Sequence, residues 1–141
     1  MKIVIVYDSQ TGTTKKAAQG MGQILTEQGH QCQVLSISDA RPDVVARADM
    51  IGIGSWVKGW FIIRQHPTAG TMKLIANLNH ITGKDAFVFC TYKLAIGSTL
   101  RKMAHGLEAQ GARVVGMFKF RGPEVDESFA DFAASLQLSN L

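Results

Sequence analysis

Hydrophobic and polar positions follow two periods along the chain, one typical of buried strands and one typical of helices. The first run, KIVIVY at residues 2–7, is rich in β-branched residues and predicts a buried strand. Similar runs predict four more strands, over residues 31–37, 49–54, 85–91 and 112–120. Apolar residues at helical spacing predict helices near residues 13–28, 68–78, 97–110 and from 126 onward, with a short helical turn at 42–48.

This alternation of strands with helices predicts an α/β, three-layer, doubly wound fold with a five-stranded parallel sheet. Ligands of such sheets bind beyond the carboxyl ends of the strands. We therefore expect a site at the loops that follow Tyr7, Gly54 and Thr91. No linker, repeat or low-complexity segment interrupts residues 1–141, so we expect a single domain over that whole range.

The loop after the first strand is crowded with hydroxyl groups at the point where a helix begins. Ser9, Thr11, Thr13 and Thr14 supply four hydroxyls within six residues, and Gly12 lets the backbone approach a ligand closely. Capping the helix needs only one hydroxyl. Because a helix start also offers free N–H groups and a positive dipole, this composition favours an anion site. The sequence lacks both the P-loop motif and the dinucleotide-binding glycine motif.

Composition and charge exclude several other classes of protein. The 141 residues are 46% hydrophobic and 18% charged, and no apolar run is long enough to span a membrane. The apolar start is too short for a signal peptide, so we expect a cytoplasmic protein. The net charge is +4, but apart from Lys15-Lys16 the basic residues are scattered, and we expect no nucleic-acid partner. Cys32, Cys90 and the four dispersed histidines predict no metal site, and we identify no catalytic residue.

The hydroxyl-rich loop has the pattern of a known phosphate-binding loop. Ser9-Gln10-Thr11-Gly12-Thr13-Thr14 resembles the [ST]-x-T-G-x-[ST] loop with which flavodoxins bind the 5′-phosphate of FMN. The order of elements over the whole chain is similar to that family as well. The resemblance implies FMN as cofactor and a sheet order of 2-1-3-4-5. It also implies the short-chain type, because the fifth strand runs on without a long insertion.

The resemblance assigns the loop after the third strand to the flavin ring. It implies that Ser55, Trp56, Val57, Lys58 and Gly59 bind the cofactor, with the tryptophan stacked on one face of the isoalloxazine. Flavodoxins often place a glycine and then acidic residues after that aromatic residue. This chain departs from that pattern, since valine and lysine come first. Residues 55–67, SWVKGWFIIRQHP, are expected to form an apolar loop that covers or docks against something, and the alternative is that its side chains fold back on the core.

The loop after the fourth strand is assigned to the other side of the ring. Tyr92 is the candidate for the second face, and Thr91 is expected to bond the ring edge. Lys93 and Gly97 complete the predicted cofactor-binding residues of this loop. Flavodoxins carry an acidic residue ahead of the tyrosine, which this sequence lacks.

Three functions remain open at this point. The first is an FMN-binding electron carrier that shuttles electrons between redox protein partners, as a monomer or weak homodimer. The second is an FMN-dependent NAD(P)H:quinone-type oxidoreductase of the same fold. The third is a phosphorylated receiver module, which needs an aspartate at the end of the third strand, where this chain has Gly54-Ser55.

Overall fold

Strands and helices alternate in the structure, a computed structural model that describes residues 1–60 and 63–139. The side chains of residues 59, 60, 63, 64 and 137–139 lie outside that description. The strands are β1 (Lys2–Asp8), β2 (Gln31–Ser36), β3 (Met50–Trp56), β4 (Lys58–Trp60), β5 (Ile63–His66), β6 (Asp85–Thr91) and β7 (Arg113–Phe120). The helices are α1 (Thr13–Glu27), α2 (Pro42–Ala46), α3 (Ala69–Asn77), α4 (Thr99–Ala109) and α5 (Glu127–Ser139).

Five of these strands form a parallel sheet in the order β2-β1-β3-β6-β7, which confirms the predicted 2-1-3-4-5 order. The register brings the carboxyl ends of neighbouring strands side by side. Asp8 pairs with Ser55 across β1 and β3, and Trp56 pairs with Thr91 across β3 and β6. The loops that follow these strands therefore meet at one edge of the sheet, where doubly wound folds bind their ligands.

A hydrophobic core lies on each face of the sheet. On one face, alternate residues of the central strands pack against buried residues of α3 and α4. On the other face, phenylalanines of β6 and β7 pack with α1 and α5. Phe89 lies directly over Gly54, where an added Cβ would come within 2.0 Å of the phenylalanine ring. Gly54 is therefore needed for the ring to pack against the strand that leads into Trp56.

The segment after β3 differs from its sequence prediction. It was predicted as a loop, but β4 and β5 form an antiparallel hairpin in which Lys58 pairs with His66. β3 also runs two residues beyond the predicted end at Gly54, because it stays paired with β6 as far as Trp56. Of the predicted apolar segment, Phe61 and Ile62 lie outside the described residues. None of the helices in the described ranges is long and apolar enough to cross a membrane.

Candidate functional site

Gly12 sets the geometry at the start of α1. It has a φ of +92°, a left-handed conformation that other residues adopt only at a cost. Its N–H donates to Ser9 Oγ at 3.0 Å, which closes the turn. No side chain among the described residues caps the helix there, and nothing lies within 4 Å of the Cβ that Gly12 lacks. The first turn of α1 thus presents an open, positively polarised end suited to an anion.

The threonines of this loop divide into two roles. The side chain of Thr14 is buried, and its Oγ1 lies 2.6 Å from Thr91 Oγ1 at the end of β6. This hydrogen bond joins the start of α1 to the sheet. Thr11 and Thr13 lie at the surface with their hydroxyl oxygens 3.3 Å apart. The surface pair is placed to contact a ligand, whereas Thr14 fixes the position of the helix.

The peptide between Trp56 and Val57 is held at both ends. Ser55 Oγ donates to the Trp56 carbonyl oxygen at 2.8 Å, and the Val57 N–H donates to the Thr91 carbonyl oxygen at 3.1 Å. Ser55 Oγ in turn accepts from the N–H of Thr68 at 3.1 Å. Rotation of this peptide would break two hydrogen bonds, each worth about 0.5–1.5 kcal/mol. The β-branched Val57 also disfavours the positive φ that such a rotation can require.

The carboxylate of Asp8 is hydrogen-bonded to another part of the protein. It accepts a hydrogen bond from the Thr68 hydroxyl, which also accepts from the Thr71 N–H at 3.1 Å and so caps α3. Asp8 therefore lies at the positive end of α3, where a negative charge is stabilised. This network fixes the ends of β1 and β3 relative to α3, and it removes one carboxylate from the ligand-binding edge.

The loop after β6 is packed on two sides. The Tyr92 N–H donates to the Phe120 carbonyl oxygen at 3.0 Å, and the Arg121 guanidinium carbon lies 5.7 Å from the centre of the Tyr92 ring, a cation–π contact. Gly97 has a φ of +53°, and a Cβ there would come within 2.9 Å of Gln65 Cβ. Glycine at position 97 therefore allows the loop to lie close to the β4–β5 hairpin.

These loops enclose a cavity of about 570 Å³ at the carboxyl edge of the sheet, within the usual range for small-molecule sites. The predicted site residues that line it are Gln10, Thr11, Thr13, Thr14, Trp56, Val57, Thr91, Tyr92 and Lys93. Ser9, Gly12, Ser55 and Gly97 are not part of this lining, and they shape or support the loops as described above. Lys58 and Gly59 lie on the adjoining strand β4.

Several lining residues were not predicted from the sequence. Leu94 and Ala95 extend the loop after β6, Gln65 comes from the unpredicted hairpin, and residues 121–123 follow β7. The place of the segment after β7 at the site could have been predicted from the sequence, because this segment too follows the carboxyl end of a strand in the same sheet. Gln65 had no such signal, since its place depends on the fold of the hairpin.

The charge of the cavity is positive. Among the described residues that line it, Lys93 and Arg121 are basic and none is acidic. Nucleophilic chemistry by cysteine does not fit this edge, because burial raises the pKa of the Cys90 thiol to about 12 despite the nearby Lys119. In the described part of the chain, no three potential metal-ligating residues cluster together.

The residues present fit FMN. The open end of α1 suits a phosphate dianion, and Trp56 and Tyr92 supply aromatic surface in a cavity of suitable size. The sequence model of the flavodoxin family matches residues 5–134, so the chain belongs to the flavodoxin family, the FMN-binding electron carriers. The predicted family and fold are thereby confirmed.

Similarity to individual proteins agrees with this assignment. A flavodoxin of Clostridium beijerinckii is 25% identical over 127 residues, which cover 90% of this chain and 91% of that protein. The solution structure of two-electron reduced Megasphaera elsdenii flavodoxin superposes with a TM-score of 0.83 at 21% identity, over 96% of this chain and 98% of the other. A short-chain flavodoxin associated with a bacterial microcompartment superposes with a TM-score of 0.80 at 15% identity, over 99% of this chain and 98% of the other.

Proposed function

We propose that this flavodoxin holds FMN in the cavity at the carboxyl edge, with the phosphate at the start of α1 and the ring beside Trp56 and Tyr92. The observation that carries the proposal is the open first turn of α1, led by Gly12 in a left-handed conformation and bordering the cavity. Free N–H groups, the helix dipole and the hydroxyls of Thr11 and Thr13 together favour a dianion there.

Bound FMN supplies the electron-transfer chemistry, and the protein supplies binding, orientation and charge. Trp56 and Tyr92 present aromatic faces to a flat conjugated ligand. The hydrogen bonds of Ser55 and Thr91 keep the Trp56–Val57 peptide in one orientation during electron uptake. A fixed peptide lowers the reorganisation that accompanies each transfer, which suits a carrier.

The cations near the cavity favour electron uptake. Lys93 and Arg121 lie on the lining, and a unit charge about 4 Å from another interacts by up to about 4 kcal/mol near a protein surface, less when screened by salt. The negative charge that arrives with electrons is therefore stabilised. We expect a higher reduction potential than in flavodoxins whose flavin is surrounded by acidic residues.

A second function, that of an FMN-dependent NAD(P)H:quinone-type oxidoreductase, has one observation in its favour. The β4–β5 hairpin and the loop after β6 add Gln65, Leu94 and Ala95 to the cavity wall, which a substrate beside the ring would use. An electron carrier is the better-supported choice, since the chain belongs to the flavodoxin family. Redox protein partners, a cytoplasmic location, one domain over residues 1–141 and a monomeric or weakly dimeric state remain predictions.

Two measurements test the proposal. Titration of the protein with FMN should shift the visible flavin spectrum and quench flavin fluorescence with one FMN per chain. NAD(P)H should then be consumed only when a flavodoxin reductase is added. Absence of FMN binding would contradict the site, whereas rapid NAD(P)H:quinone turnover without a reductase would favour the enzyme.

A further inference from the structure

We propose that the mouth of the cavity is a docking surface for an acidic face of a redox protein. The proposal rests on the proposed FMN site, because docking brings a partner to the ring. It concerns the exposed basic residues that line or flank the cavity, which we call the basic rim: Lys15, Lys16, Lys58, Lys93, Lys119 and Arg121.

The basic rim is not neutralised by the protein itself. Two carboxylates lie within two residues of the cavity lining, among residues whose side chains are described: Asp8 and Glu124. Asp8 is already bonded to Thr68 at the start of α3. Glu124 alone is left exposed beside the rim. The rim thus keeps a net positive charge at the mouth.

Three arginines outside the rim are paired with carboxylates. Asp43 lies 3.5 Å from Arg41 and 3.7 Å from Arg47, and Arg113 lies 2.7 Å from Asp85. None of the residues in these ion pairs lines the cavity. None of the ion pairs among the described residues involves a cation of the rim, so the rim keeps its positive charge at the mouth of the cavity.

The rim also has the layout of a docking surface. Leu94 is 56% exposed and lies on the cavity lining beside Lys93, which gives an apolar contact inside a charged border. Arg121 is held over the Tyr92 ring, so its charge has a fixed position at the mouth. An acidic protein surface matches both the sign and the layout, and electrostatic steering of this kind raises association rates by about 10–1,000-fold.

Electron transfer from the reduced, FMN-loaded protein to two probes tests the proposal: an acidic b-type cytochrome and a basic c-type cytochrome, each followed by stopped-flow absorbance. We expect the second-order rate with the acidic cytochrome to fall at least about tenfold from low to high ionic strength. The rate with the basic cytochrome should rise with salt. A salt-independent rate with the acidic cytochrome, or the opposite signs, would overturn the proposal.

A substitution in the basic rim, compared with one away from it, tests whether the rim is the docking surface. Lys93→Glu should slow transfer to the acidic cytochrome at least about threefold at low salt. Lys2→Glu is the matched control, since Lys2 is exposed at the opposite edge of the sheet, and its rate should stay within about twofold. Equal slowing by both variants would overturn the assignment to the rim.

FMN titration of each variant separates the two proposals. Failure of the wild-type protein to bind FMN would overturn the FMN site, whereas normal FMN binding with the wrong salt dependence would overturn the docking surface alone. If duplex DNA binds the rim more tightly than the acidic cytochrome does, and displaces it, the surface belongs to a nucleic acid and the proposal is wrong.

Discussion

Removing one hydroxyl of the buried Thr14–Thr91 pair should destabilise the protein more than removing both. The two oxygens are 2.6 Å apart, and both side chains are buried. Thr14→Val or Thr91→Val keeps the shape but leaves the other hydroxyl buried without this partner. Such an unsatisfied group costs about 1–3 kcal/mol. The double variant removes both hydroxyls and leaves neither unpaired, so its loss should be smaller than either single loss.

Urea unfolding of the FMN-free proteins, followed by circular dichroism, measures these losses. Each single variant should lower the midpoint with an unchanged m-value. Thr13→Val is the matched control, because that hydroxyl is nearer the surface in the same helical turn, and its change should stay within about 0.5 kcal/mol. Strictly additive losses in the double variant would show that the two hydroxyls do not bond, which would refute the link between α1 and the sheet.

Three further predictions concern the support of the site and the response to pH. Ser55→Ala should lower the free energy of unfolding by about 1–3 kcal/mol, because it leaves the buried N–H of Thr68 without its acceptor. Substitution of the exposed Ser38 by alanine should change that free energy little, and equal effects of the two variants in urea melts would contradict the prediction. FMN should quench tryptophan emission strongly in the wild type and much less in Trp56→Ala. If the quench is lost in Trp60→Ala instead, Trp60 and not Trp56 contacts the ring, and the prediction is wrong. Burial, and secondarily the amine of Met1, lowers the pKa of His30 below 6.5. The unfolded chain therefore takes up that proton first, and stability should fall as pH drops below about 6.5. His30→Gln should flatten that fall in urea melts at pH 5–7, and an unchanged slope would exclude His30 as its source.

The sheet and the position of the hydroxyl-rich loop could be predicted because their signals are local. The β-branched run at residues 2–7 and the hydroxyl-rich loop after it fix the first strand and the start of α1. The role of Ser55 could not be assigned in the same way. Its contact with the cofactor stays a prediction, whereas its hydroxyl bonds the backbone of Trp56 and Thr68, and Thr68 is brought near only by the chain's return after the hairpin.

The hairpin itself lacked a clear sequence signal. Residues 58–66 place a continuous apolar stretch before three consecutive polar residues, so neither strict alternation nor a helical period identifies the two short strands. Arg121 was missed for a different reason. Its position over Tyr92 depends on the pairing of β6 with β7, which brings two segments about thirty residues apart in sequence to the same edge.

The affinities of FMN and riboflavin, measured side by side by calorimetry, test the central claim most directly, because riboflavin lacks the phosphate. Wild-type protein should bind FMN much more tightly. Thr11→Ala with Thr13→Ala should weaken FMN at least about tenfold, since one hydrogen bond to a charged group is worth about 1.5–3 kcal/mol. Riboflavin binding should hardly change. Equal affinities for the two ligands, or equal losses in the variant, would contradict a phosphate at the start of α1.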